Sequence, residues 1–163
     1  MLLRLVKSLA LLSTGLLAGT FAYGAVNLVA AFNGVPLDVR LTFHAELMKA
    51  NGPVVQTAMA LAALSSIALA ILLHGRPRLI SAGAGVLVAV SFLVTRFGNV
   101  PINGQIKQWA AGDVPADYAE ILQRWEAFNV VRASAGFLAF VAVISVVVIF
   151  AQTRRPVPEM SAA

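Results

Sequence analysis

Residues 128–151 read FNVVRASAGFLAFVAVISVVVIFA, 24 residues that carry one charge, Arg132. About 20 predominantly apolar residues in a helix cross the ~30 Å hydrocarbon of a bilayer, so this stretch reads as a membrane span. Working back along the chain, three more runs have the same character, at residues 9–32, 54–73 and 79–97. The second opens after Asn51-Gly52-Pro53 and closes at His74-Gly75-Arg76-Pro77-Arg78. The third stops at Arg96 and extends through Phe97 when the long arginine side chain snorkels. Composition agrees: 12% of the residues are charged, against about 25% in soluble domains, which leaves too little polar surface to cover a water-soluble globule. The expected fold is all-α, a four-helix transmembrane bundle forming one domain over residues 1–153, with 154–163 as a disordered tail.

Arg4 and Lys7 ahead of the first run, with Ala22-Tyr23-Gly24 inside it, also suit a secretory signal peptide. The run exceeds the 7–15-residue core of such signals, so it reads as a retained helix. The absence of cysteine excludes disulfides, thiolate metal sites and cysteine nucleophiles. The net charge of +5 does not point to nucleic acid, because the basic residues sit at the ends of apolar runs instead of forming a patch. Arg4, Lys7, Arg76, Arg78, Arg154 and Arg155 fall on one side of a four-span topology, opposed by Glu159. On the other side Arg40, Lys49, Arg96, Lys107, Arg124 and Arg132 are balanced by Asp38, Glu46, Asp113, Asp117, Glu120 and Glu126. All the net charge therefore lies on one face, the positive-inside pattern, which predicts a multi-pass protein of the inner (plasma) membrane with both termini cytoplasmic. The connections on the opposite side are longer. Residues 34–53 hold a helical repeat at Leu37, Leu41, His44 and Met48, and residues 98–127 hold most of the polar side chains. A small helical cap is expected on this non-cytoplasmic side.

Candidate functional residues concentrate there. In Asn99-Val100-Pro101-Ile102-Asn103 the proline biases Val100 toward extended geometry and predicts a helix-ending turn. Its two amides can serve as turn caps or as ligand contacts. Asp113 followed by Pro115 reads as an N-cap, opening a helix that continues into span four. On that helix Tyr118, Trp125, Asn129, Arg132 and Gly136 fall in one narrow stripe at 100° per residue. A charged side chain just inside a span faces the bundle interior or an aqueous cavity. The competing reading makes Trp125 an interfacial belt residue and Arg132 a snorkelling one. Span one places Thr20, Tyr23, Gly24 and Asn27 on one face, with Asn27 expected to point inward as packing glue or as a ligand contact. His44 stands in the cap as a candidate general base or haem or metal ligand. His74 lies at the cytoplasmic end of span two, too far away to share a metal with it. No H-E-x-x-H, clustered Glu-x-x-His or glycine-rich phosphate loop is present.

At Asn99-Val100-Pro101-Ile102-Asn103 and Trp125-x3-Asn129-x2-Arg132 the chain resembles the anthrone-oxygenase-like family of small membrane proteins, and Gln105-Ile106-Lys107-Gln108-Trp109 and Arg124-Trp125-Glu126 are similar to one bacterial branch of it. The specific part of the likeness covers residues 95–132. The resemblance implies a four-helix membrane bundle, and in some fungal relatives the oxidation of an anthrone to an anthraquinone by molecular oxygen without an evident metal or flavin. The matching positions are Asn99, Pro101, Asn103, Trp125, Asn129 and Arg132. Such chemistry needs a base and a stabilised carbanion. On this reading Arg132 with Asn99, Asn103 and Asn129 stabilises the anion, His44 is the base, and Trp109, Tyr118, Trp125, Tyr23 and Asn27 hold a flat substrate. No cofactor is expected.

Three functions compete at this point: a cofactor-independent oxygenase acting on a flat aromatic or quinone-like molecule, a non-enzymatic membrane binding or accessory subunit, and a haem protein with His44 as an axial ligand. Expected partners are membrane lipid, a hydrophobic small molecule, and further copies of the chain or a membrane complex. A cavity between the Asn99 turn and Arg132 favours a ligand site, whereas continuous apolar packing there opposes one.

Overall fold

The computed structural model describes residues 1–149. The expected end of span four at Phe150 or Ala151 and the expected tail at 154–163, with Arg154, Arg155 and Glu159, lie outside the described residues. Among the described residues four long apolar helices follow one another: α1 Leu2–Asn33, α2 Leu37–Leu72, α3 Gly75–Trp109 and α4 Tyr118–Val148. Their 31 to 36 residues correspond to about 47–54 Å at 1.5 Å per residue. Each is thus long enough to cross a bilayer and extend well past it. α1 and α3 each pack on both α2 and α4. The connections are short, as antiparallel neighbours allow. Between α2 and α3 only Leu73 and His74 are extended, and Gly75 turns the chain at φ +63°, a left-handed conformation that suits glycine.

Two helices run on where breaks are expected. α2 continues through Asn51-Gly52-Pro53, joining the repeat around His44 to the span below. Pro53 forfeits one backbone bond, whereas stopping a helix near the bilayer would orphan up to four groups at each new end. α3 likewise carries Asn99 to Asn103 as helix, with Val100 at φ −62° and ψ −43°. Here residues Thr95–Asn99 form a π turn in which the Val100 N–H bonds to the Thr95 carbonyl. Pro101 falls in the first turn of the segment that follows, where a missing N–H costs little. A matching π turn, Gly24–Leu28, interrupts α1, and both turns pack against α4. At Gly98 a Cβ would lie 2.8 Å from the Phe128 ring, so glycine is what lets this turn sit against α4. The expected N-cap at Asp113 is also displaced: α4 begins at Tyr118 after Asp117, with no side-chain cap bond.

The interior has two apolar parts. In the span half, Ala10, Leu17, Phe21, Met59, Ala62, Leu69, Ala84, Val88, Ala139 and Val143 form a core rich in small residues. In the cap half, Phe32, Leu41, Ile102, Ile106, Trp109, Ile121, Leu122 and Trp125 form a second, bulkier one. Leu12, Leu64, Ile71, Val86 and Phe137 stand exposed on the outside of the bundle. An apolar exterior of that extent suits lipid.

Candidate functional site

Between the two cores lies a polar layer organised around Trp125. Its backbone carbonyl accepts the side-chain amides of Asn99 and Asn129, each at 3.2 Å. Its indole Nε1–H donates to Asn103 Oδ1 at 2.7 Å. The same oxygen lies 3.2 Å from His44 Nε2. Because an indole N–H can only donate, the amide oxygen must face it, and His44 then donates from Nε2. A neutral ring so placed keeps its lone pair on Nδ1, which is buried without a partner. The imidazole is held between aromatic neighbours, stacked on Phe32 at 4.9 Å and 9° and tilted against Trp125 at 4.5 Å. Above this layer Arg40 ties three helices together. It donates to Asn33 Oδ1 of α1 and to Glu126 Oε1 of α4, the latter at 3.0 Å.

A cavity of about 490 Å³ opens on the other side of Trp125, bounded by α1, α2 and α4. Phe21, Phe32, Phe43 and Trp125 give it aromatic walls, and Asn129 and Arg132 supply polar groups. Thr20 and Tyr23 of α1 and Phe43 of α2 also line it while standing exposed, so its mouth faces sideways between α1 and α2. Arg132 rests its guanidinium 4.6 Å from the centre of the Phe21 ring. Gly136, beneath that ring, would bring a Cβ to 3.5 Å. Among the described residues Arg132 pairs with no carboxylate. Its Nε and the Oδ1 of Asn129 are both buried and unpartnered. A cation lodged on an aromatic face, with donors to spare, is equipped to receive an oxyanion.

The expected site residues therefore divide into three sets. Trp125, Asn129, Arg132 and Tyr23 line the cavity. Asn99, Asn103 and His44 lie behind it and hold Trp125 in place. His44, with no exposed surface, is not part of the lining, and a role as base or axial ligand would require Phe32 and Trp125 to part. Trp109, Tyr118 and Asn27 lie elsewhere. Trp109 is packed in the cap core and Tyr118 borders a separate outer pocket. Asn27, expected to point inward, is exposed, because it sits inside the π turn that changes the register of α1. The cavity beside Arg132 thus lies on the α1–α2 side of α4, and Asn99 and Asn103 do not line it. Sequence reasoning overlooks Phe21, Phe32, Phe43 and Met48 of the lining. The one hint of them is the face marked by Thr20 and Gly24, both of which border the cavity.

Neither a curated protein nor a solved structure matches the chain. The family model described as anthrone oxygenase matches residues 40–142. That interval runs from the arginine of the cap ion pair, through Trp125 and its three amides, to beyond Arg132 and Gly136. With the larger part of its length matched, the chain belongs to the anthrone oxygenase family.

Proposed function

We propose that the protein is a cofactor-independent oxygenase that oxidises a flat, hydrophobic anthrone-like molecule within the α1–α2–α4 cavity. The observation that carries this reading is Arg132, whose guanidinium, unpaired with any carboxylate among the described residues, stands inside an aromatic-walled cavity with a sideways mouth. A lipid-dissolved substrate enters through that mouth and lies against Phe21, Phe32, Phe43 and Trp125. Arg132 stabilises the anion left when the activated methylene loses a proton to water. In a low-dielectric cavity a fixed charge-assisted donor is worth far more than in water. Dioxygen adds to the electron-rich carbon, the peroxide anion takes the proton back, and the resulting hydroperoxide expels water to leave a ketone. In sum a CH₂ and one O₂ become a C=O and one H₂O. Asn129 Oδ1 lies on the same wall to accept a hydrogen bond from the substrate, and His44 acts through Asn103 and Trp125 as a positioning residue.

The test is oxygen uptake by the purified protein in lipid nanodiscs supplied with an anthrone. Expected is one O₂ consumed per quinone formed, well above autoxidation in empty nanodiscs. Tight binding of the anthrone without turnover would instead establish the binding-protein reading, which the same cavity could serve.

The charge distribution supports an orientation with the cap outside. Arg4, Lys7, Arg76 and Arg78 mark the cytoplasmic end, and the cap side is neutral overall. In intact cells an impermeant thiol reagent is expected to reach a cysteine placed at Gly112 but not one placed at His74. The opposite pattern would invert the topology.

A further inference from the structure

A second pocket of about 360 Å³ lies in the cap between the end of α1 and the start of α4. Its character differs from that of the inner cavity. Asn33, Arg40, Gln123 and Glu126 contribute polar groups, and Tyr118 closes one side. Arg40 is 7% exposed and its Nε has no partner, although its other nitrogens serve Asn33 and Glu126. Phe32 alone appears in the walls of both this pocket and the inner cavity. Phe32 is therefore the side chain that the polar compartment and the aromatic one share. That side chain belongs to the last turn of α1, after the π turn and just before the non-helical Gly34-Val35-Pro36 link.

A second observation points the same way. Among the described residues, His44 Nδ1 in the ring stacked on Phe32, and Asn129 Oδ1 and Arg132 Nε beside the inner cavity, are all buried without partners. Buried polar atoms are normally satisfied, and at ~30 Å³ per water the outer pocket has room for several. From the shared wall and these unpartnered atoms we infer that the outer pocket is the water-side port of the cavity, with Phe32 as its gate. The inference rests on the proposed oxygenation, which needs such a port: the lipid-facing mouth admits an apolar substrate, but water must carry the proton from the methylene and back to the peroxide anion, and the product water needs an aqueous way out. The Arg40–Glu126 pair keeps the outer pocket polar and fixes the frame around the ring.

The chain contains no cysteine, so a single Asn129→Cys reports on the inner cavity, which Asn129 lines from a position only 1% exposed. The probe is a charged, membrane-impermeant methanethiosulfonate applied to the protein in nanodiscs, where, on the proposed entry of substrate from the bilayer, lipid covers the sideways mouth. Labelling of a protected thiol follows the population of open states, so Phe32→Ala should raise its rate about tenfold or more. Phe32→Leu should give a smaller rise, and it serves in place of the alanine variant should that fail to fold. Filling the outer pocket with Ala119→Trp in either background should reverse the gain. A rate indifferent to Phe32, or a gain that Ala119→Trp does not reverse, overturns the port. The readout needs no turnover, so the port and the oxygenase reading can fail separately.

Discussion

Replacing Arg132 with Gln is expected to abolish most anthrone-dependent oxygen uptake while leaving the bundle intact. Loss of one donor aimed at a developing oxyanion costs about 10²–10³ in kcat. Here the loss includes a full charge, so the effect should reach at least the lower figure. Stability should change little, because Arg132 has no carboxylate partner to strand among the described residues and gives up only its contact with Phe21. Lysine is not equivalent: it restores the charge without the planar fork that rests on the ring, and a partial recovery of kcat is expected. Initial rates across a range of anthrone concentrations separate the two effects. A fall in kcat places Arg132 in stabilisation of the reacting anion, whereas a rise in KM alone would make it a substrate anchor. Full activity in Arg132→Gln would remove it from the mechanism.

Asn103→Leu is expected to do the opposite, damaging the fold first. Its Oδ1 serves the Trp125 indole and the His44 imidazole together, and leucine would leave two largely buried donors without an acceptor. Each costs about 1–3 kcal/mol when unmet, which gives about 2–6 kcal/mol for the pair. Interhelical polar contacts within bilayers average only ~0.6 kcal/mol, and that smaller figure would apply if the residue lay in hydrocarbon. Asn103 follows Arg96 and the π turn, in the cap half of α3, where the unfolded chain can reach water, so the larger value should hold. Asn103→Asp keeps an acceptor at the same place and should remain within about 1 kcal/mol of the parent. Denaturation midpoints of the two variants in the same detergent measure the difference. Equal midpoints for Leu and Asp would show that the shared oxygen contributes nothing.

Hydropathy alone exposed the four helices, because a span demands so many apolar residues that few other structures compete. It was less informative about where those helices end. Pro53 and Pro101 look like stops, yet each lies in a helix that loses less by tolerating a proline than by breaking. Trp125, Asn129 and Arg132 were legible as a group because they lie on one helix and local periodicity fixes their common face. Their relation to Asn99, Asn103 and His44 was not, since it depends on how three helices are rotated about their axes. Phe21 and Phe32 were hidden for a different reason: an aromatic residue in an apolar run looks the same whether it faces lipid, core or cavity.

The two π turns bear on how such a protein can vary. Each amounts to one extra residue in an otherwise α-helical rod, and it rotates everything beyond it by up to about 100° relative to an uninterrupted helix. In α3 that offset falls between Ser91, which bonds to the Arg132 carbonyl, and Asn99, which bonds to the Trp125 carbonyl. One helix thereby meets α4 in two independent registers. Substitutions that retune the lipid-embedded half for bilayer thickness or composition need not disturb the amides around Trp125. The cap end can diversify in turn above an unchanged anchor.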